Sequence, residues 1–281
     1  MNQTFIRFPD FKLKALTFSY DDGVRQDKRL IEIFKKYGLK GTFNISAGLF
    51  TDKYEGVEDG IMSLPEALEL YTDSGMEIAA HGYKHLDLTM VDGAVATNDV
   101  IMGRKELENI FGGVIKGMAY AYGSFNDKVV QSLKDCGVNY CRTTLSTDSF
   151  AISNDWLRLP ATCHHNSPKL MELAKEFVEI TEVPRYWSNY PRLFYVWGHS
   201  YEFDRNNNWD VIEDFAAYIS GKDDIWYATN GEIFEYLQAC EHLEWSVDAS
   251  SVRNVSHLTV YIDYFGKKAA IEPGQTVILK S

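Results

Sequence analysis

The residues that most directly suggest chemistry are two histidines four positions apart, His81 and His85, and two adjacent acids, Asp21 and Asp22. Within one helical turn, residues four positions apart lie on the same face, so both imidazoles can bind one divalent cation. A carboxylate completes a three-ligand site that leaves a coordination position open for water, as catalytic zinc sites do. We therefore expect Asp22, His81 and His85 to hold a single metal ion.

Each half of this set also has an ordinary structural explanation. Isolated histidine pairs are more often a helix cap and a solvated side chain, and adjacent aspartates commonly cap the helix that follows them. The placement of the acids favours the functional interpretation, because Asp21 and Asp22 directly follow the apolar run 15–20. Two like charges at the end of a strand are electrostatically costly, and a bound cation would remove most of that cost.

Length and charge restrict the class of protein further. The chain has 281 residues, 45% of them apolar, with 28 basic and 40 acidic residues and a net charge of −12. This acidity repels phosphate backbones and anionic lipid surfaces, so neither nucleic acid nor a membrane is an expected partner. No segment resembles a signal peptide or a membrane span, and four cysteines are too few for a disulfide scaffold. We expect a cytoplasmic protein and leave open whether it forms a homo-oligomer.

The reactive residues need a scaffold, and the sequence alternates short apolar runs with amphipathic helical stretches, as parallel α/β folds do. Strands are predicted at 15–20, 41–45, 76–80, 117–122, 140–143, 193–198 and 225–228, and helices at 28–37, 64–71, 211–219 and 232–243. About seven strands predict an α/β fold, a distorted parallel (β/α) barrel over residues 1–243. Residues 244–281 contain short apolar runs separated by Gly and Pro turns and predict a small C-terminal β appendage.

The predicted barrel explains how residues distant in sequence can form one site. The carboxyl ends of parallel barrel strands meet at one face, where active sites are built. Asp21 and Asp22 follow the first predicted strand, His81 follows the third, and His199 follows the run 193–198. The fold therefore predicts that these four side chains lie close together.

In this order, these residues resemble the motifs of the polysaccharide deacetylases, carbohydrate esterase family four. The run Thr-Phe-Ser-Tyr-Asp-Asp-Gly at 17–23 is similar to the opening motif Thr-Phe-Asp-Asp-Gly, with two residues inserted before the acids. His81 to His85 resembles the motif His-x-x-x-His, and Val-Trp-Gly-His at 196–199 resembles Leu-x-x-His. The resemblance covers roughly residues 13–243 and excludes the appendage.

The resemblance implies a metal-dependent hydrolase that removes N-acetyl or O-acetyl groups from a carbohydrate, and the expected substrate is a carbohydrate or a sugar conjugate. It implies that Asp22 and the histidine pair bind the metal, that Asp21 is the general base, and that His199 donates a proton to the leaving group. Tyr122 is expected to offer a backbone N–H to the oxyanion, because 119–123 resembles the third motif, Arg-Pro-Pro-Tyr-Gly. Zn²⁺ is the expected ion, although such a site also accepts Co²⁺ or Ni²⁺.

The third motif is where the sequence departs from the family pattern. Ala119 stands at the position of the arginine that orients the catalytic acid and tunes it electrostatically in the family. Either Arg158 or Arg142 replaces this arginine from another strand, or Asp21 works with less support. Arg158 is our preferred candidate, and it is expected on the substrate side of the site. The stretch 148–156 resembles the fourth motif, which contributes an acid and a tryptophan to the cleft, so Trp156 is expected to line it.

The sequence offers three acids as partners for the proposed proton donor. Asp148 or Asp155 is expected to orient His199, although Glu202 can also pair with it across a short turn. Trp197, two residues before His199, either forms a wall of the acyl pocket or packs between helices.

Two other functions are compatible with the sequence. Related barrels hydrolyse the C–N bonds of cyclic amides or ureides. Because the third motif departs from the family pattern, it indicates an acetylated sugar as the substrate less specifically. A catalytically inactive sugar-binding descendant is the other alternative. The presence of a base, three ligands and an acid together argues against it, because a binding module has no evident need for them.

Overall fold

The computed structural model describes residues 4–50, 60–182 and 189–279. Its helices are α1 (Asp27–Tyr37), α2 (Leu64–Tyr71), α3 (Gly93–Phe111), α4 (Asp127–Asp135), α5 (Leu170–Glu179), α6 (Tyr201–Arg205), α7 (Trp209–Ile219) and α8 (Asn230–Glu241). Its strands are β1 (Thr4–Arg7), β2 (Lys14–Asp21), β3 (Thr42–Ile45), β4 (Glu77–Ala80), β5 (Gly117–Ala119), β6 (Tyr140–Ser146), β7 (Leu159–Ala161), β8 (Cys163–His164), β9 (Arg192–Gly198), β10 (Ile225–Tyr227), β11 (Glu244–Trp245), β12 (Ser251–Arg253), β13 (Val260–Tyr264), β14 (Lys267–Ile271) and β15 (Thr276–Ile278). Within the described ranges, no helix is long and apolar enough to cross a membrane.

Strand β2 lies at the centre of the main sheet, and all eight of its residues are buried. It pairs in parallel with β9 along its length on one side, and with β10 and then β3 on the other. Parallel pairing continues from β3 through β4 and β5 to β6. Strands covered on both faces read as continuous apolar runs, which is why the sequence pattern predicts them well.

Residues 159–164 close this sheet into a barrel. Strand β7 pairs with β6, β8 pairs with β9, and the N–H of Thr162 between them donates to Tyr195 O at 2.8 Å. The ring therefore has seven strand positions, with β10 beside β2, and the predicted α/β barrel is confirmed. The sequence pattern did not predict the closing segment, because Pro160 interrupts it and its two pieces have three and two residues.

Antiparallel strands follow the barrel, as predicted for the C-terminal part of the chain. Strands β11, β12 and β15 form one sheet, and β13 and β14 form part of another. The third strand of the second sheet is β1, which pairs antiparallel with β13. The first strand of the chain thus completes a sheet of the appendage, and the division into domains at residues 243 and 244 stays a prediction.

The barrel and the appendage share an apolar cluster. Tyr236 and Leu237 of α8 pack in the same buried group as Val260 and Ile262 of β13, and each of these four side chains is at most 4% exposed. Arg7 of β1 is fully buried beside them, with Nη2 3.0 Å from Asp263 Oδ2. Removing the appendage would therefore expose apolar surface of α8 and leave β1 without its partner strand.

Candidate metal centre and catalytic face

The carboxyl end of β2 and the loops after β4 and β9 bring the predicted site residues together. Asp21 Oδ2 lies 3.9 Å from His81 Nε2 and 3.9 Å from His199 Nε2. His199 Nε2 also lies 4.0 Å from Asp22 Oδ2. Asp21 and His81 are buried, whereas Asp22 and His199 are partly exposed. One side of the group is therefore open to a ligand from solvent.

The donor atoms of Asp22, His81 and His85 have the spacing of ligands that share a cation. His81 Nε2 and His85 Nε2 lie 3.5 and 3.4 Å from Asp22 Oδ1. Ligands about 2.1 Å from a tetrahedral ion are roughly 3.4 Å apart, which is longer than an ordinary hydrogen bond. His81 Nδ1 lies 2.9 Å from Ala119 O, and an N–H donated there leaves the Nε2 lone pair free on the Asp22 side. The three residues fit one divalent cation.

The segment that carries both histidines is a loop, and the expectation that a helical turn aligns them is wrong. No helix covers 81–85, and the chain reverses through Gly82 with φ 77° and His85 with φ 54°. The two imidazole centroids are 4.7 Å apart in a T-shaped arrangement. Asp22 and Tyr122 also have positive φ, at 83° and 58°. Left-handed non-glycine residues cost on the order of 1–3 kcal/mol each and concentrate at functional sites.

Asp21 is held by a buried amide and a buried guanidinium. Asn44 Nδ2 donates to Asp21 Oδ1 at 2.8 Å, and Arg142 Nη2 donates to Asp21 Oδ2. Burial acts to raise the pKa of Asp21, but the charges of Arg142, His81 and His199 outweigh burial and hold this pKa below its usual value. Asn44 was not predicted as a site residue, and its one signal in the sequence is a polar amide between the apolar residues Phe43 and Ile45 of β3, directly opposite Asp21.

The arginine that supports Asp21 is Arg142, and the preference for Arg158 is wrong. Ala119 and Arg142 are directly paired on β5 and β6, so the guanidinium enters from the neighbouring strand at the same level of the barrel. Arg158 lies at the surface, where its guanidinium is 2.9 Å from Asp155 Oδ2. It does not contact Asp21, and its place on the substrate side stays a prediction.

Of the two tryptophans that the sequence singled out, one lies near the site. The Trp197 ring is 9% exposed, 4.5 Å from Arg142 Cζ and 5.9 Å from the His199 ring, so it packs in the interior beside the site. Trp156 instead contacts Phe234 of α8 at 5.1 Å, and Phe234 also contacts Tyr140 at the start of β6. Trp156 begins the 3-10 helix Trp156–Arg158 that leads into the amino end of β7, so it lies against α8, and the expectation that it lines the cleft is wrong.

Glu202 of α6 is the acid that pairs with His199. Its Oε1 lies 3.3 Å from His199 Nδ1, which leaves Nε2 facing the two aspartates. Burial acts to lower the pKa of His199, but the hydrogen bond with Glu202 and the charges of the aspartates raise it above its usual value. Asp148 and Asp155 bind basic side chains at the surface, so the expectation that either orients His199 is wrong.

A second group of potential ligands, His164, His165 and Glu202, lies beside His199. The Nε2 atoms of His164 and His165 are 3.2 and 2.9 Å from Glu202 Oε2, shorter than the separation expected for ligands of one ion. The N–H of Asn166 donates to His164 Nδ1 at 3.1 Å. A neutral His164 therefore carries its proton on Nε2 and offers no lone pair there. We interpret this group as a support for the Glu202 carboxylate.

Asp27, the first residue of α1, is a buried acid behind the His199 loop. The Tyr71 hydroxyl donates to its Oδ2 at 2.6 Å, and the hydroxyl of Ser200, which follows His199 directly, donates to its Oδ1. Burial raises the pKa of Asp27 to about 7. The carboxyl group of Asp27 thus joins α1 and α2 to the loop that carries the proposed proton donor.

Tyr122 lies at the rim of the metal centre. Its side chain is 68% exposed, and its ring centroid is 4.6 Å from that of His85. The positive φ of Tyr122 turns the chain sharply within the short 3-10 helix Ala121–Gly123 that follows β5. The residue proposed for the oxyanion therefore lies next to a proposed metal ligand.

Comparison with protein families supports the motif-based interpretation. Residues 9–141 match the family described as polysaccharide deacetylase, and this range contains Asp21, Asp22, His81, His85 and Tyr122. The predicted resemblance is thereby confirmed over that part of the chain, while His199 lies beyond it. No curated protein matches the sequence.

Three bacterial proteins are among the solved structures that are similar to this chain. A Mycobacterium smegmatis protein assigned to the polysaccharide deacetylases is 19% identical over 83% of this chain and 93% of its own, with a TM-score of 0.60. A family 4 carbohydrate esterase from Streptomyces lividans in complex with acetate is 14% identical over 77% and 92%, with a TM-score of 0.50. A Streptococcus pyogenes deacetylase, PplD, in complex with acetate is 24% identical over 50% of this chain and only 61% of its own, with a TM-score of 0.44. The first two similarities establish the fold.

Proposed function

We propose that this chain, whose residues 9–141 match the polysaccharide deacetylases, is a divalent-cation-dependent hydrolase that removes acetyl groups from a carbohydrate. The observation that carries the proposal is the group of Asp22, His81 and His85, with both imidazole Nε2 atoms 3.4 to 3.5 Å from one carboxylate oxygen. A base, Asp21, and a proton donor, His199, lie within 4.0 Å of that group. A metal-dependent hydrolytic site needs these three components.

A divalent cation held by this group would polarise the acetyl carbonyl and lower the pKa of a water molecule beside it. Zn²⁺ is the proposed ion, with Co²⁺ and Ni²⁺ as alternatives for the same donor set. Asp22 and His85 are partly exposed, which leaves room for water and substrate on that side.

Asp21 is the proposed base that accepts a proton from the attacking water. Arg142 keeps it ionised at neutral pH, and Asn44 directs one of its oxygens. The arginine neutralises charge without blocking proton transfer, because it can neither accept a proton nor lose one at neutral pH. Asp21 and Asp22 thus have different proposed roles although they are adjacent in the chain.

His199 is the proposed acid that donates a proton to the leaving amine or hydroxyl. The contact of Glu202 with Nδ1 favours the orientation in which Nε2–H points into the site, and the raised pKa of His199 favours its charged form. The backbone N–H of Tyr122 is the proposed donor to the oxyanion that forms as the acetyl group is attacked.

A single substrate screen tests the proposed function. Acetate release would be measured with N-acetylated chito-oligosaccharides and O-acetylated xylan, beside ring opening of cyclic amides and ureides. We expect acetate release from at least one sugar, and its loss in Asp21→Asn. Ring opening without acetate release would support the cyclic amide alternative, and sugar binding without any turnover would support the inactive binding protein.

A further inference from the structure

The loop between the two histidine ligands is fastened to α3 by one carboxylate. Asp99 lies on α3, is 4% exposed and makes two hydrogen bonds to this loop. The N–H of Tyr83 donates to Asp99 Oδ2 at 2.9 Å, and the N–H of Lys84 donates to Asp99 Oδ1 at 2.9 Å. The two residues that Asp99 binds lie between His81 and His85, so the contact acts on the segment that sets their separation.

The loop also fits against α3 and the segment after β3 with little free space. A Cβ atom at Gly82 would lie 2.5 Å from Asp99 Oδ2. A Cβ atom at Gly103, one helical turn after Asp99, would lie 2.8 Å from the carbonyl carbon and oxygen of Gly82. On the other side, the N–H of Gly48 donates to Tyr83 O at 2.9 Å. The loop is therefore held from both sides.

We infer that Asp99 is a positioning residue for the metal centre. His85 is carried by irregular backbone at φ 54°, so no helical hydrogen bonds hold its imidazole at 3.4 Å from Asp22 Oδ1. The Asp99 carboxylate supplies that restraint by accepting two consecutive N–H groups. Outer groups that orient metal ligands typically contribute about 10-fold to 100-fold in metal affinity. This inference rests on the metal site of the proposed function.

The test is a Co²⁺ titration of the metal-free full chain, followed by visible absorbance and by competition with a chelator. Asp99→Asn keeps the size of the side chain but turns an NH₂ group towards one of the two N–H donors. We expect about 10-fold to 100-fold weaker Co²⁺ binding and an altered cobalt spectrum. Asp135→Asn, an exposed position on α4, makes the same change of charge away from the site and should bind like the wild type.

A second variant keeps the inference testable if Asp99→Asn does not fold. Gly103→Ala leaves the carboxylate in place but pushes the loop away from α3, and the same loss of Co²⁺ affinity is expected. Wild-type affinity and spectrum in a folded Asp99→Asn or Gly103→Ala protein would overturn the inference while the metal site stands. Failure of the wild type itself to bind Co²⁺ would overturn the metal site and, with it, the inference.

Discussion

Replacement of Arg142 by alanine is the most informative change at the catalytic face. Arg142 is fully buried and Asp21 is 2% exposed, and the two side chains are directly hydrogen-bonded. Without the guanidinium, the ionised Asp21 would be a buried charge offset only by His81, His199 and, in the metal-loaded enzyme, the cation. We therefore expect Arg142→Ala to destabilise the fold and to raise the pKa of Asp21.

The magnitude follows from the burial of both partners. Removing one partner of a buried ion pair typically costs about 3–5 kcal/mol, because the remaining charge is uncompensated. Protonation of Asp21 relieves that cost, and one pKa unit corresponds to about 1.4 kcal/mol, so a cost of about 3 kcal/mol equals roughly two units. Because His81 and His199 offset part of the loss, we expect the acidic limb of kcat/KM to move up by about one to two pH units.

The assay is the pH dependence of kcat/KM for acetate release, with urea unfolding measured beside it. Arg158→Ala is the matched control, because it removes a surface arginine that does not contact Asp21 and should leave the acidic limb in place. The double variant with Ala119→Arg and Arg142→Ala returns a guanidinium to the neighbouring strand and should move the limb back towards the wild type. An unchanged limb in a folded Arg142→Ala protein would refute this reasoning.

Three further predictions concern the acids and the appendage. Asp22→Asn should strongly weaken metal binding without changing the backbone, because asparagine tolerates the φ of 83°. Asp21→Asn should keep the metal and lower turnover about a hundredfold to ten-thousandfold. Elemental analysis and kinetics on the same samples check both. Burial raises the pKa of Asp27 from 3.8 to about 7, so the unfolded chain loses this proton at a lower pH than the folded protein does. The free energy of unfolding should therefore fall by on the order of 4 kcal/mol as the pH rises from about 4 to about 7. Urea unfolding of the metal-free protein at several pH values measures this change, and Asp27→Asn should remove it. If the free energy of unfolding of wild type and variant changed with pH in the same way, the raised pKa of Asp27 would be wrong. Truncation after Leu243 should lower the Tm but leave turnover unchanged, because α8 loses the apolar residues that pack against it and no proposed catalytic group is removed. Loss of turnover in a truncated protein that stays folded and metal-loaded would contradict this.

That Asp22, His81 and His199 lie at one face of the barrel could be predicted, because it depends on the fold class alone. Each of these residues follows a parallel strand, and the carboxyl ends of such strands meet wherever the barrel closes. Apolar runs reveal these strands without knowledge of their register. The order of strands along the chain therefore suffices to bring these residues to one face.

Partners within the site depend on details that the sequence pattern does not contain. The choice between Arg142 and Arg158 required the register of β5 against β6 and the direction of each side chain. Glu202 and Trp156 lie beyond strands, in segments whose turns decide which residues meet. The closing segment 159–164 was missed for a related reason, since its pairing on both sides is decided by the barrel and not by local propensity.

The most direct test of the central claim is a titration of the metal-free chain with Zn²⁺, in which bound metal and acetate release are measured on the same samples. The ligand group of Asp22, His81 and His85 predicts no turnover without metal and a linear rise that ends at one ion per chain. His85→Ala should bind weakly and remain inactive over the same range. Full turnover by the metal-free protein, or a rise that continues to a second ion, would contradict the account.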